Sequence, residues 1–277
     1  MSGRRRRLAV VTLLALMVTG PAVMWASGGF VVEGDWRTAS RASAGIAPVP
    51  GAAPEAIVQV YAARAFEWRG AFAVHTWIAT KPAGGGRYTV YQVTGWGGGR
   101  VHRSAAEPDR AWFGAPPRLL ADIRGPRAAA LIPHIDAAVD DYPFPHTYRS
   151  WPGPNSNTFT AWVIRHVDGL SVALPPTALG KDYLADGVLA RVPSGSGYQL
   201  SLYGLAGVGI AAEEGLTVNV LGLELGVAPW PPALVLPGVG RLGPSAPGAQ
   251  RPVPAGEDQA RATAASSAAV EIANSAR

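Results

Sequence analysis

The sequence predicts an α+β protein, an antiparallel sheet packed with helices, carried behind one N-terminal transmembrane helix. Three observations lead there. Segments rich in β-branched and aromatic residues flank a middle with helical spacing. Of 277 residues, 48% are hydrophobic and only 16% charged, which excludes a wholly disordered chain. Gly 34 and Pro 25 place many residues in turns.

The N-terminus comes first. Arg4, Arg5, Arg6 and Arg7 precede a stretch without charge that runs to Glu33. Leu8 to Ala26 would span about 28 Å as a helix, close to the ~30 Å of a hydrocarbon core. Two readings compete, an uncleaved anchor and a signal peptide cut near Ala26. Met24 spoils a small-x-small cleavage pattern, and the apolar run exceeds a usual signal core, so the anchor is preferred. The arginines then stay in the cytoplasm. Residues 30–277 lie outside it, on the extracytoplasmic or periplasmic side of the inner (cytoplasmic) membrane, with the bilayer as partner through residues 8–26. The expected division is 1–28 tip and anchor, 29–54 an Ala/Pro-rich stalk, 55–240 the globular domain, and 241–277 a disordered tail.

Charge excludes one class of function. The formal net charge is +5, but residues 29–240 hold sixteen basic and sixteen acidic side chains. The domain has no excess charge to neutralise phosphates, so nucleic acid is not an expected partner.

Within the domain, 57–64, 72–80, 87–96 and 101–104 read as consecutive antiparallel strands. Residues 116–141 read as broken helix, interrupted at Pro133. Residues 155–167 form a second helix: Phe159, Trp162, Val163 and His166 fall on one face, and Asn155 is a good N-cap. From Tyr198 to Leu236 come nearly uncharged runs broken by Gly, read as a second set of buried strands. No internal repeats are read.

The block WPGPNSNTFTAWVIR (151–165) could carry chemistry. Its prolines force an extended turn, and Ser156 then sits at a helix start, where free N–H groups favour developing negative charge. Asn155, Ser156 and Asn157 are equally the capping residues of a rigid turn. His75 lies in an apolar strand, either paired in the core or facing a cleft. The histidines lack metal-ligand spacing, and Cys is 0; neither a metal nor a cofactor is expected. Trp68, Trp77, Trp96, Trp112, Trp151 and Trp162 read as core and cleft walls, or as stacking surfaces for a sugar or acyl chain. Glu107 with Asp109, and Asp140 with Asp141, read as exposed turn or cap residues.

FAVHTWIATKP, YTVYQVTGW, PDRAWFG and WPGPNSNTFTAWVIR resemble a bacterial family of membrane-associated domains of unknown function; GKDY, PSGSG and LPGVGRLG fit the same likeness. A His on an early strand, a polar residue on the next and an N-x-N-T-F helix start also resemble the circularly permuted papain-like (NlpC/P60-related) peptidases and acyltransferases. That likeness implies a permuted papain-like fold with His75 as base, Gln92 as its orienter and Ser156 where those proteins hold Cys. Asn155, Asn157, Trp77 and Trp151 are then the expected binding residues. A hydroxyl is several pKa units less acidic than a thiol and needs a well-placed base. Two functions follow from the substitution. One is a degenerate, non-catalytic envelope module whose cleft binds a cell-wall peptide, glycan or lipid group. The other is a serine-type hydrolase or acyl transferase using a Ser156/His75 dyad. A scaffold role for the Pro-rich tail and stalk is a third.

Overall fold

The computed structural model describes residues 3–31, 35–96 and 98–244, without the side chains of Arg6, Ala9, Val10 and Leu13. Most of the expected tail, from 245 onward, lies outside the described residues, as do positions 32–34 of the expected stalk.

A helix forms where an anchor was expected, over Gly3–Ala26 (α1). The transmembrane reading finds no support in it: among the described residues no helix is long and apolar enough to cross a membrane. Part of its length is also committed to protein. Met17, Gly20 and Pro21 are buried, and a Cβ on Gly20 would collide with the Pro237 carbonyl. Ala9, Val10 and Leu13, which the expected span contains, lie outside the described side chains.

The first sheet has five antiparallel strands: β1 (Ile57–Arg64), β2 (Val74–Lys81), β3 (Thr89–Val93), β4 (Val101–Ala105) and β5 (Arg118–Arg124), in the order β4-β3-β2-β1-β5. Strand alternation divides their side chains between two cores. Val58, Val60, Val74 and Ile78 face α2 (Pro126–Asp140) and α3 (Ser156–His166), where they meet Leu131, Ile135, Phe159 and Val163. Ile57, Tyr61, Trp77 and Val90 form the second core on the opposite face. Covered on both sides, β1 and β2 are buried almost throughout.

Three expectations are corrected. Residues 118–124 form β5 rather than helix and pair with β1. Helix α2 runs through Pro133, because Pro133 and Ala129 both lie on its exposed side, where water can satisfy the freed carbonyl. The stretch read as a stalk is partly laid along the domain: Asp109 accepts from Ser43 Oγ at 2.7 Å and from the Ile46 and Ala47 amides at 2.8 and 3.1 Å. Asp109 is accordingly buried, not an exposed turn residue.

The second sheet is a seven-stranded antiparallel meander in chain order: β6 (Leu189–Arg191), β7 (Gly197–Leu202), β8 (Ala206–Ala211), β9 (Gly215–Val220), β10 (Leu223–Ala228), β11 (Ala233–Leu236) and β12 (Gly240–Leu242). A repeat passed unread in the sequence. YQLSLYGLAGVGIA (198–211) and LTVNVLGLELGVA (216–228) are two copies of one hairpin. Each turns on a bulky residue followed by Gly, both at positive φ: Tyr203 and Gly204 at 53° and 69°, Leu221 and Gly222 at 54° and 82°. The turn amides bond equivalent residues, Gly204 N–H to Ser201 Oγ at 3.3 Å and Gly222 N–H to Asn219 Oδ1 at 2.8 Å. The apolar side chains of these strands were expected to be buried. In β7–β9 they point outward instead and the inward positions are polar or glycine, whereas Ala228 of β10 and Val235 of β11 are buried as expected.

Candidate functional site

His75 and Gln92 are brought together as the sequence suggests. Their strands neighbour one another, and both side chains point to the face carrying Trp77 and Val90, away from α3. His75 Nε2 lies 3.0 Å from Gln92 Oε1. An amide oxygen only accepts, so the imidazole donates from Nε2, and Nδ1 keeps its lone pair. Burial pushes the His75 pKa down to about 4, against a small upward pull from Gln92. The ring is therefore neutral near pH 7.

Aromatic rings surround this pair. The Trp112 ring lies over the imidazole at 3.5 Å between centroids and 10° between planes. Trp77 stacks on the other side of the cluster, 5.7 Å from His75, with its Nε1–H donating to the Pro108 carbonyl at 2.7 Å. Trp96 stacks on Trp112 at 5.6 Å. A recess of about 130 Å³ opens beside them, walled by Trp77, Trp96, Trp112 and Phe113, with Gln92, Arg41, Glu107 and Arg110 supplying its polar groups. Arg41 holds its guanidinium 4.6 Å from the Phe113 ring. The recess has room for one ring-sized group, since a water occupies ~30 Å³.

Ser156 is not joined to this pair. It is buried at the first position of α3, and among the described residues no hydrogen bond links its hydroxyl to His75. The helix start meets β2 through the neighbouring residues. Thr76 Oγ1 donates to Asn157 Oδ1 at 2.9 Å, and Asn157 Nδ2 donates to the carbonyls of Val74 and Leu179 at 2.9 and 2.7 Å. Thr76 and Val74 flank His75 in β2, so their side chains project to the opposite face from His75.

Asn155 and Asn157, expected to bind a ligand, are structural clamps. Asn155 Oδ1 accepts from the amides of Asn157 and Thr158 at 2.9 and 3.2 Å, while Thr158 Oγ1 accepts from the Asn155 amide at 3.1 Å. This is a reciprocal capping box with Thr in the Glu position. Asn155 Nδ2 reaches the carbonyls of Ser150 and Leu179. Every amide hydrogen of the two side chains is thus used inside the protein. Trp77 lines the recess from within the core. Trp151 is 51% exposed and far from it in role, donating its Nε1–H to the Leu221 carbonyl of the second sheet at 2.9 Å.

Sequence reasoning missed a buried charge cluster. Lys181 Nζ lies 2.9 Å from both Asp182 carboxylate oxygens and forms an ion pair with Glu224 at 2.9 Å. Asn219 donates to Asp182 at 3.1 Å, and Arg165 donates to Gln199 Oε1 at 3.2 Å. Burial favours a neutral lysine, but the two carboxylates outweigh it and raise the Lys181 pKa. Asp182 is likewise pushed up by burial and pulled further down by Lys181, for a net lowering. Burial raises Glu224 and lowers Arg165 to about 10. The only available signal was GKDY (180–183), two adjacent charges in a Gly-flanked apolar context. Their partners Asn219 and Glu224 lie 37 and 43 residues further on in the meander, beyond the reach of local pattern.

Among the described residues no group of three His, Cys, Asp or Glu side chains is arranged to hold a metal ion. A search of the curated proteins and a search of the solved structures return no match. The likeness to permuted papain-like proteins therefore rests on His75, Gln92 and the 155–159 block alone. Over residues 55–183, which include the five-stranded sheet, both core helices and the Lys181–Asp182 pair, the chain matches a family model described as a protein of unknown function, DUF3750.

Proposed function

We propose that this chain is a non-catalytic binding module of the cell envelope, and that its ligand seats a ring in the recess beside Trp96 and Trp112. The single observation behind this reading is the pairing state of the would-be dyad. Nucleophilic attack by a serine requires its hydroxyl within hydrogen-bond reach of a base, ~2.6–3.2 Å. Ser156 forms no such bond to His75 among the described residues, and Trp112 covers the imidazole face. What the recess offers is stacking area with Arg41 and Arg110 nearby. That combination suits a glycan or peptide unit carrying a carboxylate. Location at the extracytoplasmic side of the cytoplasmic membrane belongs to the same reading, supported by the arginine tip and the apolar run behind it.

The test is a titration of tryptophan fluorescence with N-acetylmuramyl dipeptide, which carries both a sugar ring and a carboxylate. Saturable quenching that is lost in Trp112→Ala and weakened in Arg41→Ala supports the reading. Absence of quenching by this probe and by longer peptidoglycan fragments counts against it.

The second reading, a serine hydrolase or acyl transferase, has one observation in its favour. Gln92 holds the imidazole in the tautomer that leaves Nδ1 as the free base, the arrangement a nucleophile would need. Fluorophosphonate labelling of the native protein that disappears in Ser156→Ala would establish it and displace the binding reading.

A further inference from the structure

The second sheet is inside out. Toward the protein it presents Gln199, Ser201, Thr217, Asn219 and Glu224, all buried. Toward the outside it presents Tyr198, Leu200, Val208, Ile210, Leu216 and Val218, all exposed. The register sets them in continuous rows: Tyr198 pairs with Ile210, Ile210 with Leu216 and Leu216 with Val227. Arg191, at the β6 edge, is the one charged residue among the outward positions of the described strands. Scattered exposed apolar residues are ordinary; a contiguous face across several strands marks a surface that meets an apolar partner.

What borders that face bears on which partner it meets. Its inner face is tied to the protein: Gln199 of β7 meets Arg165, Asn219 of β9 meets Asp182, Glu224 of β10 meets Lys181, and Arg241 of β12 donates to the Glu213 carbonyl in the β8–β9 turn at 3.3 Å, which leaves the outer face for a partner. Amphipathic rings stand at both ends of the strands, Tyr203 and Trp151 at one and Trp230 at the other, each more than half exposed. Tyr and Trp favour the level of lipid headgroups.

Continuity and charge point the same way. Where Gly20 meets Pro237 at the β11–β12 turn, α1 adjoins the sheet, and it exposes further apolar residues, Val18, Val23 and Trp25. Its first turns carry exposed Arg4, Arg5 and Arg7, a charge complementary to anionic headgroups.

We propose that the outer face of the β6–β12 sheet is a lipid-docking surface, laid together with the exposed Val18, Val23 and Trp25 of α1 onto an anionic bilayer. This is independent of what the aromatic recess binds. The chain has no cysteine, so Ile210→Cys and Val218→Cys can each carry one environment-sensitive bimane label, with Ser104→Cys on β4 as the control. The full-length protein is mixed with vesicles of phosphatidylethanolamine and phosphatidylglycerol. The expected result is a blue shift at 210 and 218, quenched by lipid-borne nitroxide, with no change at 104. Ile210→Glu should keep its circular dichroism and weaken vesicle binding by about tenfold or more. Three results would each overturn the proposal: no vesicle binding by the full chain, labels at 210 and 218 that stay in water while the chain is vesicle-bound, or a dimer in analytical ultracentrifugation that shields them without lipid.

Discussion

The imidazole of His75 and the indole of Trp112 lie face to face, 3.5 Å apart and 10° from parallel. Trp112 is brought there by a tight turn in which its amide and that of Ala115 bond each other's carbonyls at 2.8 and 3.0 Å. The stack seals one face of the imidazole from water, and Gln92 occupies Nε2. A protonated ring would lose hydration without gaining a counter-charge, which is why its pKa falls.

The first prediction concerns pH. The folded pKa of His75, about 4, lies below the model-peptide value of 6.5. The unfolded chain therefore binds more protons between those two values. Stability is fully present above pH 6.5 and declines as pH falls toward 4, by roughly 3 kcal/mol from this residue at about 1.4 kcal/mol per unit. Urea denaturation of the native protein and His75→Gln at a series of pH values isolates the contribution. Parallel curves for the two proteins would refute it.

Removing the cover should restore hydration to the ring. In Trp112→Ala the His75 pKa is expected to move up toward 6.5, read from the imidazole proton shifts in an NMR titration. A loss of about 1–3 kcal/mol should accompany it, since Trp112 is half-buried. A pKa that stays near 4 would mean that the β2–β3 surroundings alone dry the ring.

Lys181 balances two buried carboxylates. Lys181→Met removes the cation that contacts both Asp182 and Glu224, leaving only Arg165 near Asp182, and is expected to cost about 3–5 kcal/mol in urea denaturation. Adding Glu224→Leu removes one of the stranded charges, so the double variant should regain part of that loss. If Lys181→Met proves no worse than an average surface substitution, the cluster does not fasten the second sheet to the first core.

The bond from Thr76 to Asn157 carries a separate expectation. Thr76→Val is close to isosteric and should lose about 1 kcal/mol. Asn157→Leu also takes the side-chain donor from the Val74 carbonyl and one of the two from the Leu179 carbonyl, which keeps Asn155 Nδ2, and should lose about 2–4 kcal/mol. A double-mutant cycle between the two positions should give a coupling of about 1 kcal/mol; zero coupling would place the anchoring elsewhere in the α3 start.

The sequence made the first half of the molecule readable because its signals are local. Period-2 patterning located β1 to β4 within two or three residues, and Asn155 marked the start of α3. The same alternation that makes the strands legible also determines which side each residue faces. His75 and Gln92 share a face, while the residues that hold α3 to β2, Val74 and Thr76, face the other way. That division depends on which sheet face α3 covers, a tertiary fact with no local signature. In the second sheet the apolar strands were legible, but their orientation was not. An alternating run is the same string whether its apolar side is buried or exposed. The deciding residues, Lys181, Asp182 and Arg165, lie outside the meander.

The hairpin turns connect stability to the proposed lipid contact. Tyr203 and Leu221 hold φ near 53° and 54°, a region that costs an ordinary L-residue roughly 1 kcal/mol and suits Asn or Gly. Both side chains are largely exposed, so burial does not offset that cost in the free protein. Leu221→Asn should therefore raise thermal stability by roughly 0.5–1 kcal/mol. If the apolar tips enter the headgroup layer, Leu221→Asn and Tyr203→Asn should also weaken binding to phosphatidylglycerol vesicles, so that a gain in one measurement accompanies a loss in the other. A stabilised variant that binds vesicles as tightly as the native chain would separate the turn residues from the lipid surface and leave their backbone conformation without a functional counterpart.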